Sequence, residues 1–312
     1  MRRPLNYIFL FIKGLCIGAS GALHGISGGS MALLLGAHQE FVFSLRAFDH
    51  KAFQLLRGKK FSAFWEKING NFLVTLLAGI SAGILALRAV FNYYLFQYPI
   101  FISSFFFSLV IIAALLLLRK ITRWNAGVFL SILAGLTLSY FLTRSAPFST
   151  PDHVFMAFPA GLLAGTTLII PGVSGAFILM FIGKYQYILT SFGSLEIGVI
   201  ILFIAGGILG IMVIARFMTS LLTDYFNATV ALFAGLMIGS LNKIWPWREV
   251  YEYATTVQGK QIPAFDKSIL PWRYLEITGK DPQLFYAILM MALGVFMVVL
   301  IEKIAAGLKT KR

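Results

Sequence analysis

Residues 23–36 read LHGISGGSMALLLG. A membrane helix should run unbroken at this depth, yet Gly25, Gly28, Gly29 and Gly36 share fourteen residues with two serines and a histidine. A second stretch, IIPGVSGAFILMFIG at 169–183, repeats the pattern with a proline. Glycine weakens a helix because its backbone has the most freedom to lose. Proline cannot donate a backbone hydrogen bond. Broken backbone at bilayer depth survives only where protein or a water-filled cavity satisfies the freed groups. The two stretches therefore predict re-entrant hairpins whose tips, HGISGGS and PGVSGA, meet near the midplane.

The rest of the chain supplies the bilayer context. Of 312 residues, 59% are hydrophobic and 12% charged, with mean hydropathy +0.84. A soluble domain carries roughly twice that charge. Apolar segments at 5–23, 26–45, 71–90, 99–118, 125–143, 154–171, 173–192, 196–221, 227–243 and 283–304 approach the ~20 residues that cross hydrocarbon. Lys13 interrupts the first, and no A-x-A site follows, so it reads as a retained segment rather than a signal peptide. Cys16 is the only cysteine, which excludes an internal disulfide and suits a small buried residue. The net charge of +14 sits in short loops between apolar runs. That is how membrane orientation is encoded, and it attracts lipid headgroups rather than nucleic acid. Aromatics at NYYLFQY (92–98) and IWPW (244–247) read as interfacial belts. No metal or cofactor is expected, and the sequence does not speak to oligomeric state.

The two halves match. Gly14, Gly18, Gly25, Ser27, Gly28 and Gly36 fall 147 residues before Gly161, Gly165, Gly172, Ser174, Gly175 and Gly183. A weaker match at an offset of 127 puts Gly83 on Gly210, the change being absorbed by the basic loop 46–70. Placing the N-terminus, 46–70, 119–123 and the C-terminus in the cytoplasm accounts for 16 of the 26 Lys and Arg residues. Residues 5–45 must then begin and end inside, and 154–193 must begin and end outside. The expected fold is an all-α polytopic membrane protein, an inverted-topology repeat of two five-segment halves. Residues 1–150 hold the hairpin 5–45, and residues 151–312 hold the hairpin 154–193 and an external loop at 244–282. Three transmembrane helices complete each half, an architecture common among secondary transporters.

Helices restarting at Ser27 and Ser174 would aim free N–H groups and a positive dipole end into a cavity. With the hydroxyls of Ser27, Ser30 and Ser174, such a nest suits an anion, phosphate above all. Gly25, Ser27, Gly28, Gly29, Ser30, Gly172, Ser174 and Gly175 are the candidate phosphate-binding residues. Arg88, Lys184 and Arg216 are candidate cationic partners, set against helix-end and snorkelling positions. Glu40 is a candidate proton or ion carrier, or an interfacial residue beside the basic loop. His24 occupies the slot matching Pro171 and is a second candidate for coupling. Gly14, Gly18, Gly161 and Gly165, four apart on their helices, suit close helix packing instead.

At these motifs the sequence resembles the bacterial polyprenyl-phosphate transporters, whose signature is a repeated P-G-x-S-G-G-T-type motif. Here the copies are HGISGGSMALLLGAHQEFV and IPGVSGAFILMFIGKYQYIL, with TVALFAGLMIGSLNKIWPW at 229–247 as a further similar stretch. His24 stands where the family has proline, and Ser30 where it has threonine. The resemblance implies a flippase that returns undecaprenyl phosphate, or a related polyprenyl phosphate, from the outer to the inner leaflet of the cytoplasmic membrane. The carrier lipid is thereby recycled for cell-wall synthesis, and coupling to a proton or ion gradient is compatible with Glu40. The expected partners are the polyprenyl-phosphate lipid and membrane lipids. Two alternatives stand beside it. A transporter of a small soluble anion would use the same nest. An undecaprenyl-pyrophosphate phosphatase would need the arginine of a P-G-x-S-R-S-type motif, where Gly28 and Gly175 stand, and an E-x-x-x-E motif that the membrane segments lack.

Overall fold

A computed structural model of the chain describes residues 4–21, 27–144, 151–255 and 261–310, with side chains at 4–5, 21, 87–97, 252–265 and 301–310 outside that description. The first half contains α1 (Pro4–Gly21), α2 (Gly28–Leu34), α3 (His38–Arg46), α4 (His50–Arg57), α5 (Phe61–Lys67), α6 (Gly70–Gln97), α7 (Pro99–Leu118) and α8 (Ala126–Arg144). After a 3-10 turn at Val154–Met156, the second half contains α9 (Ala157–Thr166), α10 (Gly175–Phe181), α11 (Tyr185–Gly193), α12 (Ile197–Asp224) and α13 (Phe226–Ile244). Strands β1 (Arg248–Thr255) and β2 (Gln261–Ser268), α14 (Pro271–Thr278) and α15 (Leu284–Thr310) complete it.

Element bounds recur at the two offsets read from the glycines. Helices α2 and α3 return 147 residues on as α10 and α11, and α6 returns 127 residues on as α12. The break between each short pair is made by a left-handed glycine, Gly36 at φ +67° and Gly183 at φ +68°. A side chain there would meet the steric penalty that L-residues suffer at positive φ. Helices α4 and α5, at the start of the extra twenty residues, have no counterpart.

Glycine also sets the helix spacing. A Cβ on Gly18 would strike the Ile80 carbonyl, and one on Gly83 the Leu15 carbonyl, so α1 lies in backbone contact with α6. In the second half, Gly161 meets the Phe203 carbonyl and Gly210 the Leu162 carbonyl, joining α9 to α12 in the same way. The small-residue spacing thus serves close packing, as expected from sequence. The outer helices cross between halves, with α8 packing along α13 and α15 along α7. Because α7 and α13 are counterparts, this reciprocal exchange welds the halves into one core around Phe106, Leu109, Phe233, Leu236 and Met237.

Among the described residues, α7, α8 and α12 are long and apolar enough to cross a membrane. Helices α5 and α6, bent by 64° between them, make a fourth candidate. With the further shorter apolar helices, the chain is a multi-pass helical membrane protein.

The loop 244–282 departs from an all-α reading. Strands β1 and β2 pair antiparallel from Arg248↔Ser268 to Thr255↔Gln261, with a bulge beside Glu252. Asp266 anchors the hairpin, accepting from Lys243 Nζ at 2.8 Å and Arg248 Nε at 2.5 Å. Burial pushes the Asp266 carboxyl up, but the Arg248 and Lys243 charges outweigh it and hold the group below the usual carboxylate range. The IWPW stretch is not a lipid-facing belt. Trp247 is buried, Trp245 half-buried, and their indole N–H groups donate to the Pro282 and Ile269 carbonyls at 2.8 and 2.7 Å. These bonds staple the 244–282 segment onto the helix ends, because a buried indole N–H needs an acceptor.

Candidate functional site

The two glycine-serine stretches come together. Ser27 and Ser174 precede α2 and α10 with nearly identical extended backbones, at φ −91°, ψ 128° and φ −92°, ψ 135°. Neither hydroxyl caps its own helix. Hydrogen bonding within α2 begins with Met31 N–H to the Ser27 carbonyl, and within α10 with Ile178 N–H to the Ser174 carbonyl. By helix geometry, the amides of residues 28–30 and 175–177 make no bond inside their helices.

The broken backbone of the second tip is satisfied by side chains of the first half. Ser27 Oγ donates to the Ile170 carbonyl at 3.2 Å. Gly172 N–H donates to Ser30 Oγ at 2.8 Å. His38 Nε2 lies 2.7 Å from the Ile169 carbonyl. Three groups within four residues of the second tip thus find partners more than 130 positions away, as buried backbone polar groups require. Gly172 can make the turn because it has φ +84° and because a Cβ there would crowd Leu236 and Met237 of α13. Gly29 rests against the Ile170 carbonyl and Gly175 against Thr167 Oγ1, each too close for a side chain to fit easily.

One hydroxyl is left over. Ser174 is 5% exposed, and its Oγ has no hydrogen-bond partner among the described residues. A cavity of about 10 Å³, room for about one water molecule, opens beside Ser30 and is lined by Met31, Leu34, Leu109, Val110 and Met237, with Phe106 and Ala113. The tips are therefore closed on one another, with donors turned inward and a single hydroxyl unspent.

The remaining sequence candidates lie elsewhere. Lys184 is buried, and its Nζ donates to Asp152 Oδ1 at 2.6 Å and to the Pro151 carbonyl at 2.5 Å, so its charge is held by the segment leading into α9. Arg216 is exposed and donates to the Phe48 carbonyl at 3.3 Å, tying α12 to the end of α3. Glu40 accepts from Asn69 Nδ2 at 2.8 Å, which fixes α3 to the start of α6. The hydrogen bonds described between the tips are those of Ser27, Ser30 and His38 with residues 169–172. The Arg88 side chain, and His24 and Gly25 entirely, lie outside the described residues. His38, not singled out by sequence, is the residue the geometry adds. Its place 147 positions before Tyr185 gave no repeated signal, and only the tertiary contact with Ile169 reveals it.

A family profile described as undecaprenyl phosphate translocase-like matches residues 17–262. A polyprenyl-phosphate transporter of Vibrio cholerae serotype O1 is 29% identical over 303 residues, covering 97% of this chain and 98% of the relative. A polyprenyl-phosphate transporter of Staphylococcus aureus is 27% identical over 255 residues, covering 75% and 85%. Both relatives are named as transporters, and neither as an enzyme. No solved structure matches the chain.

Proposed function

The chain belongs to the undecaprenyl phosphate translocase-like family, and on that premise we propose that it carries a polyprenyl phosphate across the cytoplasmic membrane, from the outer to the inner leaflet. The observation that carries this reading is the meeting of the two motifs, where Ser27 and Ser30 at the start of α2 bond to the backbone of the turn that leads to Ser174 and α10. A phosphate monoester bears up to two negative charges and cannot enter hydrocarbon without partners. When the tips part, the bonds that close them are released. Ser27 Oγ, Ser30 Oγ, Gly172 N–H and the first amides of α2 and α10 then point at the space between, joined by Ser174 Oγ. Phosphate oxygens replace the broken bonds, so opening does not strand buried polar groups. The prenyl chain remains in lipid, which requires the space to open sideways between helices.

In this reading the halves stand inverted in the bilayer, with both termini cytoplasmic and the β-hairpin outside. Each tip enters from its own face, so the donors are reachable from either leaflet in turn. Lys184 and Arg216 act around the pathway, and Arg88 remains a cationic candidate for it. Glu40 and His24 remain the coupling candidates that the motif itself supplies.

Thermal unfolding of the detergent-solubilised protein tests the substrate class. A ligand at 100 times its Kd adds about 2.7 kcal/mol to the bound state. Undecaprenyl phosphate should raise the unfolding temperature by several degrees, and inorganic phosphate at equal concentration should not. Equal stabilisation by inorganic phosphate would instead favour a soluble-anion transporter, and phosphate release from the pyrophosphate lipid would favour a phosphatase.

A further inference from the structure

His38 is 1% exposed and sits at the start of α3, directly behind the tip contact. Its Nε2 faces the Ile169 carbonyl, which can only accept, so the hydrogen of the neutral ring is on Nε2. Nδ1 is then a bare lone pair, and it has no hydrogen-bond partner among the described residues. The ring meets Phe233 edge-on, with centroids 6.0 Å apart. A buried acceptor left unsatisfied destabilises the fold, so its presence at the junction of the two halves calls for a reason.

From this geometry we infer that His38 is the proton-binding site coupled to substrate phosphate, taking one proton on Nδ1 as the phosphate enters between the tips and releasing it as the phosphate leaves. The inference rests on the phosphate reading above. The ring goes from neutral to one positive charge and keeps its Nε2–H, so the proton is the only species gained or lost. Its counter-charge has to come from the phosphate. Helix α2 and the turn 167–174 carry no charged residue. Helix α13 carries Lys243, tied to Asp266, and α12 carries Asp224 and Arg216, the latter on the Phe48 carbonyl. Helix α3 itself carries Glu40, on Asn69, and Arg46. Helix α6 carries Arg88, with its side chain outside those described, and Lys120 beyond α7 is the charged group whose field reaches the ring. Among the described residues no carboxylate touches His38. An imidazolium here would be an unpaired buried charge, which is strongly unfavourable, until a phosphate arrives on the donors beside it. Each species supplies the partner that the other lacks, and linkage makes the two affinities rise by the same factor.

The test measures binding of a fluorescent-labelled polyprenyl phosphate to purified protein between pH 5 and 8, in wild type, His38→Gln and His50→Gln, the last an exposed histidine on α4. Glutamine keeps an N–H for the Ile169 carbonyl and cannot titrate. Wild-type and His50→Gln affinity should fall up to about tenfold per pH unit on the limb where the ring loses its proton, relative to His38→Gln, which retains only the lipid phosphate's own titration. Ring-nitrogen NMR on the wild-type protein, with the His38 signal assigned as the one missing from His38→Gln, reads the ring directly, and the lipid should convert its Nδ1 to the protonated form. Identical pH slopes in wild type and His38→Gln, or a bound lipid with a neutral His38 ring, would overturn the inference and leave the transport reading standing. A wild type that binds no labelled lipid at any pH would overturn both.

Discussion

Two serines separate stability from transport. Ser30 accepts from Gly172 N–H, so Ser30→Ala strands a buried donor and should cost about 1–3 kcal/mol of stability. Ser174→Ala removes a hydroxyl that already lacks a partner. It should leave unfolding in detergent unchanged or slightly later, yet lower polyprenyl-phosphate affinity about tenfold, the loss expected for one hydrogen bond to a charged group. Thermal unfolding and lipid titration of both variants check the contrast, and a Ser174→Ala protein with wild-type affinity would remove that hydroxyl from the site. The motif serines were legible in sequence because a polar, glycine-flanked pair recurred at one spacing. His38 was not, because an isolated histidine at a helix start carries no repeat signal. The fates of Lys184 and Arg216 were hidden for another reason. A long cationic side chain reaches several partners from one backbone position, and only the fold places Asp152 or the Phe48 carbonyl within its arc.

At the scale of elements, glycine acts in two ways that substitution separates. Gly18→Ala drives a methyl into the Ile80 carbonyl and must push α1 off α6. It should cost about 1–3 kcal/mol or more, as overpacking does. Gly36→Ala meets no neighbour and suffers only its positive φ, at roughly 1–2 kcal/mol, and Gly36→Asn should recover part of that loss. Unfolding temperatures of the three variants test the order. The β-hairpin gives a pH prediction. Because Asp266 is held below the usual carboxylate range, its contribution is complete above that range and is lost only as pH falls through the lowered value. Protease cleavage of 248–268 should therefore be slow and pH-independent from pH 7 to 5 and accelerate in stronger acid. Asp266→Asn should be cut readily at pH 7, having lost a largely buried pair worth about 3 kcal/mol when broken. Long apolar helices were readable because hydropathy marks them, most closely for α7, α8 and α13, while α6 and α15 run six to seven residues beyond their apolar segments. The helices α4 and α5 and the hairpin were not, because short elements take their stability from tertiary contacts such as Asp49 with Lys67 and Asp266 with Arg248.

At the scale of the whole molecule, the repeat was legible in the spacing of glycines, since each marks a turn or a helix contact that both halves must make. The crossed packing of α8 on α13 and α15 on α7 was not, because apolar helix surfaces carry no partner label. The proposed orientation in the bilayer can be read directly. In a Cys16→Ser background, single cysteines replacing Lys59 or Arg123 should react with an impermeant thiol reagent only from the cytoplasmic side, and one replacing Lys280 only from outside. Lys59 and Lys280 reacting from the same side would contradict the inverted arrangement. The most direct measurement of the central claim, that the joined tips carry a lipid phosphate, is transbilayer movement of labelled undecaprenyl phosphate in liposomes. Wild-type protein should deplete the label from one leaflet while Ser27→Ala with Ser174→Ala, folded and reconstituted to the same density, moves it at least tenfold more slowly; equal rates in the two would contradict it.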